Sequence, residues 1–160
     1  MKENELDALD KKLVRVLTKE GRLPSGNIAE RLDITPPTVR SRIESLVTSG
    51  ILRVAGLVDP FKLKGVNMAL VCISLERHQE LDKKIEQISE LPQVHWAAAV
   101  TGQYDIIFEV ILSKGMRDLY SFLVEELPRL GGIRSSESFM IMKGKRKWVL
   151  LPEENEIIAK

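Results

Sequence analysis

The apolar residues of this chain change period part-way along it. Over residues 6–47 they recur every three or four positions, and beyond residue 66 they mostly alternate until two further helical stretches interrupt them. The first spacing lines one face of an α-helix and the second lines the faces of a β-strand, so a helical front half and a mixed rear half are required. Leu6, Leu9, Leu13, Val16 and Leu17 predict a helix that stops at Gly21. Pro24-Ser25-Gly26 breaks the chain, and Ser25 is expected to cap a second, short helix that turns Ile28, Ala29 and Leu32 inward. After a turn at Asp33-Ile34, Thr35 reads as an N-cap with Pro36 at the first helical position, where a missing N–H costs nothing. Val39, Ile43, Leu46 and Val47 form the third stripe, which Gly50 closes.

The rear half reads β-α-β-β-α-β. Ile51–Val58 is an apolar, β-branched run expected as a linking strand, interrupted by Asp59-Pro60. Val66–Glu76 is a strand with Met68, Leu70 and Cys72 on one face and Ala69, Val71, Ile73 and Leu75 on the other. Leu81, Ile85, Ile88 and Leu91 return to helical spacing before Pro92. Gln93–Thr101 and Tyr104–Leu112 are strands joined at Gly102-Gln103. Leu119, Tyr120, Leu123 and Leu127 form a helix ending at Pro128, and Ile133–Met142 is the last strand. The fold class is α+β: a helix-turn-helix domain over 1–50, a linker over 51–65, a ferredoxin-like βαββαβ domain over 66–142 and a basic extension over 143–160. Two helices cover only one face of such a sheet, and the strands read as apolar on both, so another subunit is expected on the open face.

A short helix, a turn and a capped second helix is the layout whose second helix enters the major groove. Its inward positions are taken by Val39, Ile43 and Leu46, which leaves Pro37, Thr38, Arg40, Ser41, Arg42, Glu44 and Ser45 on or near the solvent side. Arginine grips guanine bidentately, hydroxyls serve bases or phosphates, and Thr35 with the first backbone N–H groups is suited to a phosphate. Thr38, Arg40 and Ser41 are the expected base readers, with Arg42 beside them. Spacing alone fits a plain three-helix bundle equally well, with Arg40 and Arg42 solvating a surface and pairing with Glu44.

The runs Leu9-Asp10-Lys11-Lys12-Leu13-Val14, Ile28-Ala29-Glu30-Arg31-Leu32 and Thr35-Pro36-Pro37-Thr38-Val39-Arg40-Ser41-Arg42-Ile43, closing over Leu46–Ile51, together resemble the Lrp/AsnC (leucine-responsive, feast/famine) transcription regulators. The rear half is similar to that family's effector-binding RAM domain, and Thr101-Gly102-Gln103-Tyr104-Asp105 resembles its glycine-tyrosine-aspartate turn. The resemblance implies a basic role for Arg42, a hinge at Asp59-Pro60, and an amino-acid site between dimers at Thr101, Gly102, Gln103, Tyr104 and Asp105. Ser136 and Ser138 stand where the family usually has two threonines. It also implies double-stranded DNA as partner, homodimers assembling to tetramers or octamers, and a small-molecule effector, an amino acid or related metabolite. Asp105 is equally suited to capping its own turn. Two rivals remain open: a haem-pathway decarboxylase of the same architecture, with His95 in its cavity, and a metabolite sensor that does not bind DNA.

Composition narrows the remaining classes. The 160 residues are 44% apolar, enough to bury a core, and carry 24 basic against 23 acidic groups. Both ends are mildly basic, net +2 over 1–58 and over 143–160, around a middle of net −3, which permits phosphate binding at the ends. The tail Lys143-Gly144-Lys145-Arg146-Lys147-Trp148 is expected to be a solvated extension or a phosphate contact. A charged N-terminus without an apolar core reads as no secretory leader, and the longest uncharged run, Leu91–Tyr104, is too short to span a bilayer. One cysteine, Cys72, fits a reducing, cytoplasmic setting and a buried apolar role. His78 and His95 lack metal-ligand spacing, and no phosphate-binding glycine motif occurs, so no metal, cofactor or enzymatic activity is expected.

Overall fold

The computed structural model describes residues 5–151; the charged N-terminal residues 1–4 and the end of the basic extension, 152–160, lie outside the described residues. The chain divides into two compact units, one ending at Gly56 and the other starting at Leu57.

The first unit holds α1 (Ala8–Lys19), α2 (Ser25–Leu32) and α3 (Pro36–Thr48). Leu13, Leu17, Ile28, Ala29, Val39 and Leu46 form its core. Each fully buried large aliphatic side chain there contributes about 1.5–3 kcal/mol. Asp7 caps α1, its Oδ1 accepting from Asp10 N–H at 2.7 Å. The expected cap on α2 is displaced by one residue: Pro24 occupies the N-cap without a side-chain bond, and Ser25 is already helical. Proline's fixed φ supplies the extended entry that a serine cap would otherwise provide. Between α2 and α3, Asp33 lies in the left-handed region at φ 54°, and Ile34 N–H donates to Ala29 C=O at 3.0 Å, fixing a tight turn. Thr35 caps α3, and Pro36 follows it as expected. Gly50, at φ 74°, ends the helix: its N–H donates to Val47 C=O while Ile51 N–H donates to Leu46 C=O, both at 3.0 Å.

The second unit is a four-stranded antiparallel sheet ordered β2-β3-β1-β4, from β1 (Asn67–Leu75), β2 (Val94–Ala99), β3 (Ile106–Leu112) and β4 (Ile133–Met140). Helix α4 (Leu81–Ser89) and the helical stretch beginning with α5 (Met116–Ser121) follow β1 and β3, which completes the βαββαβ order. Ala69, Val71, Ile73 and Leu75 alternate into the main core with Phe108, Val110, Ile88, Leu119 and Phe122. The second helical stretch departs from expectation. Phe122 is buried and Tyr120 exposed, and Pro128 sits inside a 3₁₀ turn that carries the helix on to Leu130. Proline is tolerated there because it falls in that turn's first positions, where its N–H is not required.

Three further expectations need correction. Ile51–Val58 forms no strand within the chain; only Val58 bridges another segment, Val149, because no neighbouring strand offers the rest a partner. The sheet's second face is not uniformly apolar: Glu109 and Glu137 lie on it beside Met68, Cys72, Ile107 and Ile111. The tail as far as Leu151 is not a free extension. Val149 is fully buried against Met68 and Ile111, so apolar burial holds the segment down.

Candidate nucleic-acid interface and effector turn

Helix α3 presents its N-terminal half to solvent: Thr35, Pro37, Arg40 and Ser41 are exposed, and Thr38 is half-buried. The hydroxyls of Thr35 and Thr38 lie 2.8 Å apart, and Thr38 N–H donates to Thr35 Oγ1 at 3.4 Å. That pair fixes the first turn and is partly spent on it. Arg40 makes no ion pair or hydrogen bond with another described residue, so its guanidinium is available. Ser41, Glu44, Ser45, Thr48 and Ser49 line a shallow, open depression along the same helix.

Arg42 is placed differently. Its Nη1 lies 2.5 Å from Asp7 Oδ2 and 3.2 Å from Asp10 Oδ1, tying α3 to the start of α1. Asp7 is held below the ordinary carboxylate range, first by the Asp10 N–H bond and then by Arg42. The hydrogen bond and charge of Asp7 raise Arg42 in turn. Of the two arginines, one is held inside the domain and one is free. The sequence did not distinguish them, since Asp7 and Arg42 are 35 positions apart.

At the end of the sheet, Gly102 takes φ 122°, a conformation few other residues adopt, and Thr101, Gly102 and Gln103 are exposed. Asp105 is turned inward: Leu75 N–H donates to its Oδ2 at 2.7 Å, and His78 Nδ1 lies 2.9 Å from its Oδ1. Ser74 Oγ donates to Gln103 C=O at 3.3 Å, and Tyr104 OH donates to Glu137. Ser136 and Ser138 pair with Ile73 and Val71, whose side chains face the helices, whereas Glu137 pairs with Cys72 on the other face. Two separate contacts therefore hold the turn, Tyr104 to Glu137 and Asp105 to His78, and neither brings Ser136 or Ser138 to it. Strand alternation around the two serines could have singled out Glu137; His78 left no comparable signal.

A second polar cluster escaped the sequence reading. Glu109 is only 3% exposed, with Oε2 2.9 Å from Lys147 Nζ and Oε1 3.2 Å from His95 Nδ1. Leu150 N–H donates to His95 Nε2 at 3.4 Å, so the ring proton sits on Nδ1 and is donated to Glu109. His95 is spent on this internal network. Among the described residues no group of three or more potential metal ligands forms, and no helix is long and apolar enough to cross a membrane.

Residues 68–147 match the Lrp/AsnC ligand binding domain, and residues 6–53 match a winged helix-turn-helix DNA-binding domain. The chain belongs to the Lrp/AsnC family. It is 31% identical over 145 residues, 90% of each chain, to an uncharacterized HTH-type transcriptional regulator of Pyrococcus horikoshii. This Lrp/AsnC chain also superposes on the crystal structure of a second regulator of that organism, PH0061. There the identity is 28% and the TM-score 0.78, with 92% of this chain and 99% of that one covered. At 23% identity it shares the fold of a Neisseria meningitidis transcriptional regulator solved with L-Met, with a TM-score of 0.71 over 94% and 98% of the two chains. Membership makes the protein a DNA-binding transcription regulator with a ligand-binding rear domain. The names of its relatives point to regulation rather than to enzymatic activity.

Proposed function

We propose that this Lrp/AsnC regulator reads duplex DNA with the N-terminal half of α3. Arg40 and Ser41 reach base edges, Thr38 contributes once its bond to Thr35 is exchanged, and Thr35 and Pro37 lie along the phosphates. The observation that carries the reading is the contrast between Arg40, exposed and unpaired, and Arg42, tied to Asp7 and Asp10. Arg42 then acts as a positioning residue that holds α3 against α1. A single reader of such modest charge binds weakly, and copies held on one scaffold gain affinity through effective concentration. We infer a homodimer through the open sheet face, where Trp96 and Phe139 are exposed, with assembly to a tetramer or octamer in the cytoplasm.

The effector is an amino acid or related small metabolite, seated between dimers at the turn formed by Thr101, Gly102, Gln103, Tyr104 and Asp105. Ser136 and Ser138 reach that pocket only as a neighbouring subunit's contribution. The chemistry supports this: a carboxylate from Asp105 or Glu137 suits an ammonium group, and Gly102 lets a ligand approach the backbone. Binding requires the Asp105–His78 and Tyr104–Glu137 contacts to exchange, and a ligand shifts assembly only by favouring one state over another. Selection of bound duplexes from a random pool, repeated with each common amino acid present, tests both parts. A two-fold symmetric motif whose recovery depends on one amino acid is expected. No enriched motif refutes DNA reading, and a motif indifferent to every amino acid refutes the effector.

A further inference from the structure

Helix α3 carries a single acidic residue, Glu44, and the fold leaves it without a partner. Arg40 stands one turn earlier, and residues four apart are neighbours on a helix, so an ion pair between them was open to the sequence. No such pair forms, and Arg42 is spent on Asp7 and Asp10. Glu44 is exposed and makes no ion pair or hydrogen bond with another described residue. Its place around the helix is outward. Val39, Ile43 and Leu46 define the inward direction. With about 100° between residues, Glu44 then stands about 45° from the outward centre line, against about 90° for Arg40. Ser41 and Thr48 lie close to that line, and with Ser45 they surround Glu44 in the open depression along the helix.

A carboxylate in the middle of a surface that meets DNA works against affinity, because the phosphates that attract Arg40 repel it. Its contribution is discrimination. An ionised carboxylate can only accept hydrogen bonds. In the major groove guanine presents two acceptors, N7 and O6, and thymine presents the O4 acceptor and a methyl group, so neither satisfies it. Adenine sets its N6 donor beside the N7 acceptor, an arrangement that suits an amide. Cytosine presents the N4 amino donor. We propose that Glu44 is a specificity-determining residue that accepts from the N4 amino group of a cytosine in the major groove. It acts partly by repulsion, rejecting bases that place an acceptor there. Glu44 lies about 6 Å further along the helix axis than Arg40, which is about two base-pair steps of a groove that the helix follows. The cytosine therefore falls about two pairs from the base that Arg40 reads. The inference rests on the reading above that α3 enters the groove.

Selection of bound duplexes from a random pool with the full chain, its Glu44→Ala and Glu44→Gln variants, and Arg40→Ala tests it. Mobility shifts then compare the recovered duplex with each base in turn at the cytosine position. Wild type is expected to prefer cytosine there over thymine by about tenfold. Glu44→Ala should flatten that position to within about twofold, and should do so by binding the thymine duplex more tightly than wild type does. A merely structural role for Glu44 would weaken all four duplexes alike. Glu44→Gln should move the preference toward adenine, and it carries the test if Glu44→Ala does not fold. Arg40→Ala should lose a different position and keep the cytosine. An unchanged motif in Glu44→Ala, an equal loss on all four duplexes, or continued selection of cytosine by Glu44→Gln would overturn the proposal while leaving DNA reading intact. A wild type that enriches no motif refutes DNA reading itself, and the role of Glu44 with it.

Discussion

Replacing Lys147 with methionine should destabilise the C-terminal unit through a residue more than thirty positions away from it. Glu109 is 3% exposed and shares its two oxygens between Lys147 at 2.9 Å and His95 at 3.2 Å. Breaking a buried pair by removing one partner costs about 3–5 kcal/mol, because the remaining charge stays out of water. Two features reduce that figure here: His95 still donates to Glu109, and the Lys147 side chain is 31% exposed, so water reaches the gap it leaves. About 2–3 kcal/mol is therefore expected. Urea unfolding at pH 7 followed by tryptophan fluorescence measures it directly, since both tryptophans, Trp96 and Trp148, belong to this unit. Adding Glu109→Gln to Lys147→Met removes the orphaned charge and should recover stability to within about 1 kcal/mol of wild type. A Lys147→Met cost below about 0.5 kcal/mol, or a double variant as unstable as the sum of the singles, would refute the internal network.

Other consequences can be checked separately. Asp7 titrates below the ordinary carboxylate value in the folded chain, so its contribution is present above that value and is lost as pH falls through the folded one. The stability gap between wild type and Asp7→Asn, read by thermal melts, should hold steady from neutral pH to about pH 5 and close below about pH 4; a gap that persists under acid contradicts the Arg42 tether. Gly144 has no room for a Cβ against the Phe61 ring, so Gly144→Ala should cost about 1–3 kcal/mol in urea unfolding, and Phe61→Leu should relieve it. Burial, with Glu137 nearby, raises the Cys72 thiol, so thiol reagents should label it only as the protein unfolds; rapid labelling of native protein would be inconsistent.

Where a short-range rule decided the structure, the sequence was enough to read it. Thr35-Pro36 starts α3 and Gly50 ends it because caps are local chemistry. The alternation of Ala69, Val71, Ile73 and Leu75 set the core face of β1. What stayed hidden depended on partners distant in sequence. Glu109 looked like one polar residue in an apolar strand until Lys147 and His95 arrived beside it, and the tail looked solvated until Val149 found Met68 and Ile111. Arg40 and Arg42 read alike because only the fold brings Asp7 and Asp10 to the second of them. Leu119 and Phe122, three positions apart, both face the core, and the apolar ring of Tyr120 between them reads as a member of the same stripe, which assigns it to the wrong face.

The account depends on which arginine meets DNA, and a mobility-shift titration across salt concentrations decides it. Arg40→Ala, measured on a duplex recovered from the selection, is expected to lose about 1–3 kcal/mol of binding and the preference at the base it reads, with little change in the salt slope. Arg42→Ala should weaken the domain's thermal stability while leaving that slope unchanged. Undiminished affinity in Arg40→Ala, with the slope falling in Arg42→Ala instead, would contradict the assignment of the reading edge.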